Sequence, residues 1–64
     1  MTKQEVFYSK PEVLSLLDVR ETCHFRLKEM RELGEYEEAK NPENDYVRTL
    51  NETAVMLEEI WNNL

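Results

Sequence analysis

The chain has 64 residues, enough for one small domain and no more, since so short a polypeptide buries only about 60% of its surface on folding. Fourteen acids against eight Lys plus Arg give a net charge of −6, which works against any long-range attraction to a phosphate backbone. One Cys excludes an internal disulfide, one Gly excludes a phosphate-cradling loop, and no apolar run approaches the ~18 residues of a membrane span, so the chain reads as a cytoplasmic single domain over residues 1–64.

Taken in chain order, residues 5–8, Glu-Val-Phe-Tyr, can form a short strand. Ser9 with Glu12 has the spacing of a capping box, in which a hydroxyl and a carboxylate satisfy two orphan amides reciprocally, and Pro11 suits a first helical turn. A short helix is therefore expected over 10–17. Asp18 with Glu21 repeats the box and opens a second helix, 19–33, which Gly34 ends as the residue best able to adopt a left-handed conformation. Two readings compete for 35–50. Either the helix extends through 35–40 and Asn41-Pro42-Glu43-Asn44-Asp45 turns, or 35–50 is a two-stranded hairpin whose second strand is 46–50. Thr49 with Glu52 forms a third box and opens a last helix that continues to the C-terminus.

At 100° per residue, Val19, Cys23, Leu27, Met30 and Leu33 share the core arc of the second helix. Arg20, His24, Lys28 and Arg31 fill an adjacent arc. Phe25 points away from the core arc and Arg26 into it, the latter to snorkel or pair with a carboxylate. Residues 20–31 carry +2, whereas 32–45 hold six acids against Lys40, or −5. In the last helix Val47, Leu50, Ala54, Leu57, Trp61 and Leu64 form an apolar seam that Met56 and Ile60 widen. It either covers the first two helices or zips two copies into a homodimer.

Residues 8–19, Tyr-Ser-Lys-Pro-Glu-Val-Leu-Ser-Leu-Leu-Asp-Val, with Arg20-Glu21-Thr22 after them, resemble the opening of small winged helix-turn-helix domains of the excisionase and MerR type. Residues 44–50 followed by 52–60 resemble the returning strand of their wing and the helix behind it. Asp18 stands where those domains carry a turn glycine, and the wing tip here is acidic. The resemblance implies a mainly α fold: a three-helix helix-turn-helix core with a small β-hairpin wing, the alternative being an all-α three-helix bundle. It implies a DNA-binding regulator, excisionase-like or transcriptional, in which helix 19–33 enters the major groove. Arg20, Thr22, His24, Lys28 and Arg31 would then contact DNA, with Lys40 and Arg48 on the wing.

A second functional reading starts from the acids. Glu35, Glu37 and Glu38, with aromatic anchors among Phe25, Tyr36, Tyr46 and Trp61, suit an acidic adaptor or inhibitor that docks on a basic protein or mimics DNA, of the kind made by phages and mobile elements. No catalytic, cofactor or metal site is expected. Cys23 and His24 point about 100° apart on one helix, and no nucleophile, base and orienting carboxylate share a suitable spacing.

Overall fold

In a computed structural model that describes residues 1–64, four helices follow one another: α1 (Lys3–Ser9), α2 (Pro11–Glu32), α3 (Tyr36–Lys40) and α4 (Asp45–Asn62). Helix takes up 81% of the chain and no strand is present, so the all-α alternative holds and the wing does not exist. Residues 46–50, expected as its returning strand, are instead the first turns of α4, and 35–40 form a short helix followed by a turn.

The seven residues of α1 correct the strand expected at 5–8. Thr2 caps α1, its Oγ1 accepting from Glu5 N at 3.1 Å, and this Thr-x-x-Glu spacing is the same signal that marks helix starts elsewhere. Ser9 closes this helix rather than opening the next, because its hydroxyl donates back to Val6 O at 2.8 Å. Lys10 is extended and Pro11 occupies the first position of α2, where its missing amide hydrogen leaves nothing unpaired.

The two helices expected at 10–17 and 19–33 are one helix of 22 residues. Nothing between Glu12 and Leu33 is Gly or Pro, and an interior amide already bonds the carbonyl four residues back, so the Asp18 side chain has no orphan amide to cap. With no break at Asp18 there is no helix-turn-helix. Gly34 does end α2 as its sequence position predicts: at φ +86° it lets Glu35 N bond Met30 O at 2.9 Å and Gly34 N bond Arg31 O at 3.1 Å, the paired bonds of a Schellman motif.

After α3, Asn41 Oδ1 accepts from Glu43 N at 2.9 Å and Pro42 fixes the turn. Asn44 then caps α4, its Oδ1 accepting from Tyr46 N at 2.8 Å and Val47 N at 3.4 Å. Thr49, expected to be that cap, lies inside α4.

α4 folds back antiparallel on α2: Arg20 meets Leu50 and Thr53, whereas Met30, further along α2, meets Asn44 at the start of α4. α1 and α3 both rest on α2. The result is a helical hairpin 45 Å long and 17 × 14 Å across. Its buried residues are Phe7, Val13, Cys23, Leu27, Ala39 and Thr53. At the open end Phe7 stacks edge-on against Trp61, ring centroids 5.3 Å apart, and Lys3 Nζ lies 4.4 Å over the same indole.

Two face assignments change. Val19 and Leu33 were expected in the core of α2 but are exposed, and Arg20 takes the place between Val13 and Leu27 on the inward row. In α4 the inward row is Val47, Leu50, Thr53, Leu57 and Ile60, while Ala54 is exposed and Trp61 turns from α2 to Phe7 of α1. This seam is packed on α2, so it is not free to zip α4 to another copy.

Candidate functional site

The row expected to read DNA does not form one free surface. Arg20 is half-buried, and its guanidinium Nη1 donates to Leu50 O at 2.6 Å and to Thr53 Oγ1 at 2.9 Å, while the Thr53 hydroxyl donates to Thr49 O at 2.8 Å. A charge placed among apolar neighbours is tolerated where its inward donors are met, and both α4 oxygens meet those of Nη1. Arg20 is thus a clamp between α2 and α4. Thr22 is exposed, with its hydroxyl donating to Asp18 O at 3.2 Å.

His24, Lys28 and Arg31 remain exposed on one stripe of α2, Lys28 lying 4.0 Å from Glu32 and Arg31 without an ion-pair partner. Lys40 and Arg48 sit at the α3–α4 turn rather than on a wing, Arg48 Nη1 being 3.9 Å from Asp45 Oδ1. Arg26, expected in the core arc, points instead to solvent because Arg20 takes the inward place, and it pairs with Glu29 at 2.9 Å. Phe25 is 57% exposed with the Arg26 guanidinium 6.0 Å from its ring centroid.

The acidic residues do come together, at the closed end of the hairpin. Glu35, Glu37 and Glu38 are exposed on α3 or its N-terminal side. Across the turn, Glu38, Glu43, Asn44, Asp45 and Tyr46 line an open cleft of about 370 Å³. Asn44 joins the two walls: while its Oδ1 caps α4, its Nδ2 donates to Glu38 Oε1 at 3.1 Å. Tyr36 and Tyr46 are exposed beside these carboxylates. Helix α3 is placed by Ala39, which buries its small side chain and so docks a segment otherwise made of Glu, Tyr and Lys. Sequence reasoning had missed Asn44 as the hinge of this cleft; the signal is an Asn directly before the Asp-Tyr start of a helix.

This end can offer several carboxylate acceptors and two aromatic rings to a cationic ligand. No group of three or more His, Cys, Asp or Glu side chains converges as a metal site, and Cys23 is buried while neighbouring His24 is exposed. No helix is long and apolar enough to cross a membrane. No family model matches the sequence, and no curated protein or solved structure is similar to it.

Proposed function

We propose that the chain is a non-enzymatic interaction module that docks its acidic end, Glu35–Tyr46, on a basic surface of a partner protein. The observation that carries this reading is the concentration of charge: the segment 32–45 holds −5 of a net −6, and the fold gathers it at one tip of a 45 Å rod. A field concentrated at one end orients an approaching cationic partner before contact and raises the association rate. Tyr36 and Tyr46 supply aromatic surface that holds the complex once formed, and Arg-rich surfaces are suited to both features, through carboxylate pairing and stacking on rings. In its fullest form the tip stands in for the phosphates of DNA in a partner's basic groove.

The test is association of the full chain with an arginine-rich peptide, followed by stopped-flow fluorescence at low and physiological salt. Glu35→Gln, Glu37→Gln and Glu38→Gln together should slow association on the order of tenfold at low salt, with the difference shrinking as salt rises. Equal rates for the triple variant and the parent would remove this reading.

The second reading is the DNA-binding regulator, and the stripe of His24, Lys28 and Arg31 on α2 is the observation in its favour. It has to work without a recognition helix set off by a turn, without a wing, and with Arg20 held by its Nη1 inside the fold. Salt-dependent anisotropy with short duplex DNA, abolished by Lys28→Ala with Arg31→Ala, would support it; no binding at low salt would dismiss it.

A further inference from the structure

Helix α1 is joined to the rest of the molecule differently from α3 and α4. Residues 1–9 hydrogen-bond only among themselves and with Lys10: Thr2 caps Glu5 N, Ser9 donates back to Val6 O, and Lys10 N closes on Phe7 O. None of the ion pairs of the fold includes a residue before Lys10. By contrast, α3 is tied to the start of α4 by Glu38 and Asn44, and α4 to α2 by Arg20.

What holds α1 is packing that converges on one residue. Phe7, its only buried side chain, stands edge-on to Trp61 with centroids 5.3 Å apart, and Lys3 Nζ lies 4.4 Å over the same indole. Lys3 and Phe7 are one turn apart, so a single face of α1 makes both contacts. A helix of seven residues does not persist alone in water, because nucleation is unfavourable and too few propagating bonds follow it. Docking and helicity of α1 are therefore lost together.

Pro11 makes the joint. The residue before a proline is steered away from the helical region, and Lys10 is extended at φ −76°, ψ 128°. Pro11 has no N–H to continue the ladder, so α1 and α2 do not fuse. Rotation about the Lys10 N–Cα bond moves α1 as a body and leaves in place the Lys10 carbonyl, which accepts from Val13 N and Leu14 N at 3.1 Å each. No hydrogen bond has to break.

Beneath α1 the two long helices present an apolar floor. Arg20 and Thr53 face each other, and in an antiparallel pair, offsets of the same sign from two facing positions fall on one side. At ~100° per residue, Val13 and Leu17 lie about +20° and +60° from Arg20, and Leu57 and Trp61 about +40° and +80° from Thr53. All four share the side on which Phe7 meets Trp61. At ~1.5 Å per residue they make two rungs, Leu17 with Leu57 about 5 Å and Val13 with Trp61 about 11 Å from the Arg20–Thr53 level. Val13, at 0% exposure, is the most deeply buried side chain of the molecule although it stands in the first turn of α2, where α1 rests on that helix.

We propose that α1 is a strap: it swings open about Lys10 as one unit while the α2–α4 hairpin stays folded, and so uncovers the apolar groove of Val13, Leu17, Leu57 and Trp61. In the closed form the chain's own Phe7 blocks this groove. The strap lies at the opposite end from Glu35–Tyr46, so its opening stands apart from what the acidic tip binds.

Native-state hydrogen exchange of the full chain, with the emission of Trp61, its only tryptophan, tests this. The amides of Val6, Phe7, Tyr8 and Ser9 should share one opening equilibrium, at least on the order of tenfold more populated than the opening of Cys23 and Leu27. Lys3→Gln should raise that population about threefold by removing the cation over the indole. Phe7→Ala should raise it on the order of tenfold or more and shift Trp61 emission to the red, with helix lost from α1 alone. Exchange of α1 and Leu27 through one common opening would overturn the proposal. So would protection graded from Val6 to Ser9 that Phe7→Ala leaves unaltered, the mark of a fraying end, or a Phe7→Ala chain in which α2 and α4 unfold as well.

Discussion

Arg20 belongs to two rows of α2 at once. It lies in a row with His24, Lys28 and Arg31 that a groove-binding helix would present, yet it also falls in the Val13, Leu16, Arg20, Cys23, Leu27 series that faces α4. What decides between them is the partner, Leu50 O with Thr53 Oγ1, and these lie 30 and 33 residues away where local spacing gives no hint. Arg20→Met keeps the stem and removes the donors, leaving the Leu50 and Thr53 oxygens without them. It should destabilise the fold by about 1–3 kcal/mol, a fall in melting temperature of roughly 4–8 °C per kcal/mol for a domain of this size. A merely solvated arginine would change the melting point by less than the error of the scan. Asn44 works similarly at the other end of the seam: Asn44→Ala removes the cap on Tyr46 N and Val47 N and the bond to Glu38, and urea denaturation should report a loss of about 1 kcal/mol or somewhat more.

At the scale of elements, the chain carries four Ser/Thr/Asp-x-x-Glu spacings, Thr2, Ser9, Asp18 and Thr49, and only Thr2 caps a helix. Three-residue spacing is also the spacing of neighbours on a helix surface, so the same pattern appears wherever Glu-rich helix continues. What marks the true ends is backbone chemistry: Pro11, the left-handed Gly34, and Pro42 between Asn41 and the capping Asn44. Gly34 was legible because only one residue type adopts φ +86° without strain. The join at Asp18 was not, because capping side chain and helix interior look alike in sequence. Asp18→Ala separates the two by sign. It should raise stability by about 0.5 kcal/mol in a continuous helix, where Asp is a poor former, and lower it by about 1 kcal/mol were Asp18 a cap. Gly34→Ala should cost about 1–2 kcal/mol from backbone strain alone, since an added Cβ there meets no atom within 4 Å.

For the whole molecule, the helical class, the apolar seam of α4 and the acidic segment were legible in composition and periodicity. The long-range docking that turns them into a rod with one charged tip was not. That tip assembles like charges within one short helix and one turn, an arrangement that opposes folding and is relieved by a cationic ligand. Glu35→Gln, Glu37→Gln and Glu38→Gln together should therefore leave the melting temperature unchanged or raise it while slowing peptide association, a pairing of effects that a purely structural role for α3 would not produce.

We propose that the acidic tip binds while the basic stripe of α2 remains a solvated face of a structural helix. Amide chemical-shift mapping of the full chain separates the two surfaces, by titrating with an arginine-rich peptide and, separately, with short duplex DNA at low salt. Saturable shifts are expected at Glu35–Tyr46 with the peptide and none along Arg20–Arg31 with DNA. Saturable shifts along Arg20–Arg31 on adding DNA, with the tip silent to peptide, would contradict it.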